Sequence, residues 1–300
     1  MLSIIVCSRT EKLSDSFSSN IEETVGVEFE LLCIDNSKNE FSIAQAYNEG
    51  KLRSKFDYLC FIHDDVHFNT QDWGVKVINH LNNSRTGFIG LAGGDVALKV
   101  LYDYGALNLS VNIIHVDKSG VEPTEYVHYP VHYSGLTRSV VLLDGVFLCA
   151  KKEIFEKIAF DNKLGRFHGY DYDISLQSIT AGYKNFVVYD ISLTHYSKGN
   201  FDIVYYSSIL KVVEKWKAKL PIFESSIPQI DQKHKIIRLE KKSLNKLLKK
   251  LIRQRMKPKH VAAIYSYYAK LIGSRTDILM LKMLRLRINF VLFTSVLRNK

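Results

Sequence analysis

Three hundred residues, 46% apolar and 24% charged, are enough to bury a full hydrophobic core and too apolar for a disordered chain. The formal net charge of +10 is unevenly spread. Residues 233–300 carry 19 Lys/Arg against 2 Asp/Glu, while residues 1–232 carry 22 against 29, so a mildly acidic body precedes a strongly basic tail.

Four cysteines (Cys7, Cys33, Cys60 and Cys149) lie in apolar runs without a C-x-x-C pair. This argues against a disulfide framework and fits reduced, buried thiols of a cytosolic protein. No run of 18 apolar residues occurs, so no bilayer-crossing helix is expected, and residues 1–6 lack the basic start of a signal peptide.

Residues 3–7 read as a first buried strand, 11–24 as an amphipathic helix and 29–35 as a second strand ending in the turn-like 36–39. A helix is expected over 42–51 with Ser42 as N-cap, then a third strand over 58–62. This alternation predicts a parallel sheet with right-handed crossovers, in which ligands bind beyond the carboxyl ends of the strands. Ser8-Arg9-Thr10, Asp35-Asn36-Ser37 and His63-Asp64-Asp65 all fall at those ends and should share one cleft. Residues 71–82 read as a helix, 87–94 as a strand running into a turn, and 100–140 as long loops or an irregular hairpin. A strand-like run over 140–150 is interrupted by Asp144-Gly145; helices are expected over 151–157 and 173–182, and a short strand over 186–189. Further on, 204–220 reads as a helix, 221–228 as a linker, and 239–256 and 261–297 as basic helices.

The most informative motif is His63-Asp64-Asp65 at the tip of the third strand. Adjacent carboxylates and a histidine offer hard ligands suited to Mg²⁺ or Mn²⁺, although an ordinary acidic loop would look the same. His115, His128 and His132 invite a zinc reading, but their irregular spacing without a cysteine fits loop histidines better.

Several segments together resemble a nucleotide-sugar-dependent glycosyltransferase of the GT-A fold, in the broad family 2 group and nearest its bacterial StrF-domain-like subgroup. The segments are residues 3–9, 30–36, 61–66, Leu143-Asp144-Gly145-Val146 and 160–173, which includes His168-Gly169-Tyr170-Asp171. They occur in the family's order over roughly residues 1–200. The resemblance implies an α/β fold: a Rossmann-like, mostly parallel sheet flanked by helices, followed here by a basic helical extension. Together with the change in composition from about residue 203, it divides the chain into a glycosyltransferase domain over 1–203, a helix and linker over 204–232, and a basic tail over 233–300 that lies outside the resemblance. It also implies roles. Asp65 matches the usual metal ligand and His195 an auxiliary one. Ser8, Arg9, Asp35, Asn36, Asp64 and Lys198 fall where the donor nucleotide binds. Asp144, Gly145 and His168 line the donor and acceptor pocket, and Asp171 matches the general base. His63 and Tyr170 replace acidic residues of the broad pattern.

The chemistry behind those roles is general. An acceptor hydroxyl is a poor nucleophile until a carboxylate removes its proton, and a departing nucleoside diphosphate needs a divalent cation. Read by themselves, Asp171 and Asp173 could equally be first-turn acids favoured by the helix dipole, and Asp144-Gly145 a plain turn. The implied activity is metal-dependent, inverting transfer from a UDP-linked or related donor to a hydroxyl of a glycan or lipid-linked oligosaccharide, in surface polysaccharide synthesis. The alternative is a catalytically silent nucleotide-binding or membrane-associated scaffold. In the tail, basic residues interleave with Leu244, Leu247, Leu248, Leu251 and Ile252. That pattern predicts a helix lying on the anionic inner face of a membrane with its apolar side inserted. A solvated helical subdomain or an oligomer contact is the next reading; nucleic-acid binding is disfavoured because no stacking platform accompanies the charge.

Overall fold

The computed structural model describes residues 1–102, 104, 107–116, 124–128, 135–197, 201–227 and 233–273, with 124–128 and 233 as backbone alone. Three parallel strands open it: β1 (Leu2–Ser8) lies between β2 (Phe29–Asp35) and β3 (Tyr58–Ile62), with Ser8 opposite Asp35 and Val6 opposite Ile62. The crossovers are α1 (Asp15–Thr24) and α2 (Ile43–Arg53). Helix α1 starts at Asp15 rather than residue 11 because the Ser14 hydroxyl takes the Phe17 N–H and so caps it there. Ser42 caps α2 as expected, in a reciprocal box with Gln45.

After β3 come β4 (Val66–Phe68), α3 (Trp73–Leu81), β5 (Thr86–Gly90), β6 (Ala92–Gly94) and β7 (Val96–Ala97). The stretch expected as loops contains β8 (Leu109–His115), β9 (Thr124–His128) and β10 (Thr137–Val140). Strand β8 escapes a hydropathy reading because Ser110 and Asn112 interrupt its apolar residues. Both are buried, and the Asn112 amide donates to the Val188 and Ile191 carbonyls at 3.3 and 2.6 Å. The run over 140–150 resolves into β11 (Leu142–Leu143) and β12 (Phe147–Lys151) on either side of Asp144-Gly145. The expected helix over 151–157 is a 3₁₀ turn, Lys152–Glu156.

Helix α4 (Tyr170–Thr180) begins three residues before the expected start at 173, because Gly169, at φ +84°, supplies the left-handed turn that admits it. Strands β13 (Lys184–Val188) and β14 (Leu193–His195) follow. The main sheet has the order β10-β13-β5-β12-β3-β1-β2; β12 and β10 run against the others, so it is mostly parallel. A second sheet, β11-β6-β8-β14-β4, crosses the carboxyl end of β3 through the β3–β4 turn. Two buried apolar clusters cover the two faces of the main sheet.

The C-terminal part contains α5 (Ile203–Trp216), β15 (Ile222–Phe223), α6 (Lys233–Arg253) and α7 (Pro258–Leu271). Strand β15, within the expected linker, pairs with β7. A third apolar cluster joins all three helices to Tyr172 and Leu176 of α4 and to Val100 and Leu101. Asp173 helps hold this junction: fully buried, it receives the Trp216 indole N–H at 2.7 Å and the Lys215 ammonium at 2.8 Å. The expected lipid-facing stripe of α6 is here a correction. Leu244, Leu247, Leu248 and Leu251 are buried against the body and Ile252 packs beside them, so protein already covers that face. Residues 274–297 of the expected last helix lie outside the described residues. No described helix is long and apolar enough to cross a membrane.

Candidate active site

The antiparallel pairing of β4 with β14 sets His195 opposite Val66, and the Tyr196 N–H bonds the Asp65 carbonyl at 2.9 Å. The ladder therefore brings a residue from late in the chain beside the acidic tip of β3. His195 Nε2 stands 3.1 Å from Asp65 Oδ1, and His63 Nδ1 stands 3.9 Å from the same oxygen. One ligand atom from each of these three residues fits within a 4.8 Å span. Asp65 Oδ1 and His195 Nε2 are buried but not aligned as a hydrogen bond, so each is without one. Converging buried lone pairs of this kind are what a cation satisfies.

The tautomer of His63 follows from its neighbours. Tyr170 O–H donates to the Gly145 carbonyl at 3.1 Å, so the phenol oxygen accepts from His63 Nε2–H, also at 3.1 Å. The lone pair then sits on Nδ1, inside the three-residue cluster. Burial, with His195 alongside, pushes the His63 imidazolium down and keeps the ring neutral. Burial pushes the Asp65 carboxyl up, but His195, 3.1 Å away, outweighs it and holds Asp65 below the usual carboxylate range. Gly145 is obligatory here, since a Cβ would lie 2.1 Å from the Tyr170 oxygen.

Tyr170 also marks where Asp171 begins the first turn of α4. Asp171 is buried and its carboxyl is raised from 3.8 to about 7, first by burial and then by the charge of Asp144. Asp144 accepts from the Tyr104 hydroxyl and, at 2.9 Å, from the Val146 N–H. A carboxyl poised near neutrality, next in the chain to the tyrosine that holds His63, can take a proton from a bound hydroxyl.

The other expected residues divide by position. Asp64 accepts from Ser8 Oγ at 2.8 Å and from the Arg9 N–H at 3.4 Å, which ties the tips of β1 and β3 together. Asp35 is exposed beside them, and the Ser37 N–H holds its carboxyl below the usual range. Asn36 turns inward: its amide bonds both the N–H and the carbonyl of Phe41 and so closes the 36–41 loop. His168 packs edge-on against Tyr205, 5.3 Å between ring centres, apart from the three-residue cluster. Lys198 and His132 lie outside the described residues, and His128 is described by its backbone alone. His115 sits next to His195 on the adjoining strand, 5.3 Å between rings. The sequence offers His63 both as a ligand candidate and as a departure from the family pattern, marks Tyr170 only as a replaced acidic residue, and assigns Tyr104 no role. The i, i+2 spacing of His63 and Asp65 was a usable signal; nothing in the irregular stretch around Tyr104 was.

The model of a family described as "Glycosyltransferase like family" matches residues 3–215. The chain belongs to that glycosyltransferase-like family. Among solved structures, the family member is similar in fold to a mannosyltransferase from Pyrobaculum calidifontis in complex with GDP-mannose and Mn²⁺. Identity is 12%, the TM-score 0.51, and the match covers 95% of this chain and 84% of that one. GalNAc-T7 with UDP, GalNAc and Mn²⁺ matches at 14% identity and a TM-score of 0.49, over 72% of this chain. The glycosyltransferase-like chain spans about half (48%) of that protein's length. No curated protein matches it. The fold is thus the GT-A fold, and His63, Asp65 and His195 lie inside the family match.

Proposed function

We propose that this protein transfers a sugar from a nucleoside diphosphate donor, in the first instance a UDP-sugar, to a hydroxyl of a glycan or lipid-linked oligosaccharide. Within its family we place it in the bacterial StrF-domain-like subgroup, as a hexosyltransferase serving surface polysaccharide synthesis. The observation that carries the reading is the junction of two chemistries through Tyr170: His63, Asp65 and His195 converge on one side, and Asp171 is poised near neutrality on the other. Two imidazole nitrogens and one carboxylate suit Mn²⁺ better than Mg²⁺, which favours all-oxygen sites. A divalent ion held there neutralises charge on the departing diphosphate.

The chain's own groups do the rest. Asp171 accepts the acceptor's hydroxyl proton as the new C1–O bond forms. The old C1–O bond breaks on the opposite side, its electron pair leaves with the nucleoside diphosphate, and the anomeric configuration inverts. The joined tips of β1 and β3 at Ser8, Arg9 and Asp64, with Asp35 beside them, form the floor for the nucleoside. Calorimetry with UDP, GDP, CDP and ADP, with and without Mn²⁺, tests this. Mn²⁺-dependent binding of one of them, and nucleotide release from its sugar conjugate, is expected. No binding of any of the four, together with no release, overturns the reading.

We place the enzyme at the cytoplasmic face of a membrane through the exposed basic side of α6, which includes Arg238, Lys241, Lys242, Lys246 and Lys249. With its leucines already covered, α6 contributes charge alone, worth about 1 kcal/mol per basic residue near an anionic surface. Flotation with anionic liposomes should be lost in high salt and in a Lys241→Glu, Lys242→Glu, Lys246→Glu variant. Flotation unaffected by either change removes the proposal.

A further inference from the structure

One buried carboxylate takes no part in the reaction above. Glu240 is the single acidic residue in 233–273 and is only 2% exposed. Its two oxygens accept the Lys99 and Val100 N–H groups at 2.7 and 2.9 Å. The adjoining peptides are also held by the C-terminal helices. Ser243 of α6 donates to the Val100 carbonyl at 3.2 Å, Tyr268 of α7 to the Leu101 carbonyl, and Tyr205 of α5 to the Tyr102 carbonyl at 3.0 Å. Two residues on, Tyr104 packs edge-on against Tyr172, 5.1 Å between ring centres, and its hydroxyl reaches Asp144. Leucine packing alone would hold α6 to the body. A buried carboxylate costs several kcal/mol of desolvation, and a well-packed apolar residue in its place is often neutral or stabilising. What a carboxylate adds is direction: it fixes two successive backbone N–H groups, and with them the path of the chain.

We propose that Glu240 is a positioning residue of the active site: by fixing the peptides at 99 and 100 it sets Tyr104 against Asp144, in the loop that meets Tyr170, the neighbour of Asp171 in the chain, through the Gly145 carbonyl. The C-terminal helices then belong to the catalytic apparatus instead of trailing from it. The catalytic part of this inference rests on the transferase reading; the structural coupling does not.

Two measurements on the full chain separate the two. In Glu240→Gln the side chain keeps its size but can accept only through one oxygen, and its NH₂ meets the second backbone N–H. Turnover number is expected to fall about tenfold, in keeping with the roughly 10²-fold cost of a 1 Å misplacement. Affinity for the nucleoside diphosphate with Mn²⁺ should change less than about twofold, and titration with that nucleotide counts folded sites. Combining the change with Tyr104→Phe should cost little beyond the larger single effect, because both act through one contact. The second measurement is amide hydrogen exchange, which needs no turnover. Glu240→Gln should speed exchange at 99–104 and at 144–146 while leaving β1–β3 unchanged. Acceleration confined to 99–100, or an unchanged turnover number in an active wild type, overturns the proposal. A wild type that neither binds nucleotide nor turns over defeats only the transferase reading, and exchange at 144–146 still decides the coupling. If Glu240→Gln does not fold, Glu240→Asp, which shortens the reach and keeps the charge, is read by the same exchange criterion.

Discussion

Asp171→Asn should abolish turnover while making the protein more stable. As general base, Asp171 is expected to contribute roughly 10²–10⁴-fold to the rate, and an amide cannot accept the proton. The stability effect follows from the same burial. The folded carboxyl binds its proton up to about pH 7, against an ordinary value of 3.8, so ionising it works against the fold. For the wild type, the contribution of Asp171 is fully present below about pH 4 and is lost as pH rises to about 7. The asparagine variant has no such loss. Its advantage over the wild type, measured on metal-free protein, should therefore grow from near zero at pH 4 to about 1–4 kcal/mol at pH 8. The upper figure converts the whole shift; imperfect pairing of the new amide lowers it. In the wild type the same group gives kcat/KM an acid limb near pH 7, rising with pH. Thermal melts over pH 4–8 beside a nucleotide-release assay check all three expectations. Full activity in the variant would remove Asp171 as the base, and a variant less stable at pH 8 than at pH 4, relative to wild type, would contradict its burial as a charge.

The second large effect belongs to Asp65. It is the one anionic group among the three converging side chains, and Asp65→Ala leaves two imidazoles to hold a dication. Loss of several kcal/mol of charge stabilisation corresponds to roughly 10²–10³-fold in rate. Mn²⁺-dependent nucleotide affinity should fall with it, while binding in the absence of metal stays as in the wild type. Calorimetry in both conditions distinguishes this from a misfolded pocket, which would lose both. Metal-dependent binding that survives in Asp65→Ala would move the cation elsewhere.

Much of this architecture is legible in the sequence, and the places where it is not share physical causes. The β1-α1-β2-α2-β3 alternation stands out because each strand is a short apolar run and each helix carries a cap such as Ser42. Strand β8 is hidden because Asn112 and Ser110 are polar and buried, and only tertiary partners explain that. The start of α4 is displaced because its signal is a glycine conformation, not an apolar period. Asp65, Asp171 and His195 are candidates by order and residue type through a family likeness, and the fold brings Asp65 and His195 together. The role of Tyr170 could not be named that way, because it depends on which of two nitrogens of His63 faces a phenol. Helix α6 reads plainly as basic and amphipathic, but periodicity says that an apolar stripe is covered, not by what. Here the cover is the protein's own body rather than lipid.

The way His195 reaches Asp65 constrains the chain at a distance from both. The β4–β14 ladder is short, and the segment leading into it is clamped where the Asn69 N–H bonds the Ser192 carbonyl and the Ser192 N–H bonds Thr70 Oγ1. Side chains alternate faces along a strand, so one residue inserted or deleted between Ser192 and His195, past the clamp, would slip the ladder and swing the imidazole to the far side. The connection before the clamp is itself anchored, since Ile191 is fully buried in the core and Asp190 pairs with His80 at 2.7 Å.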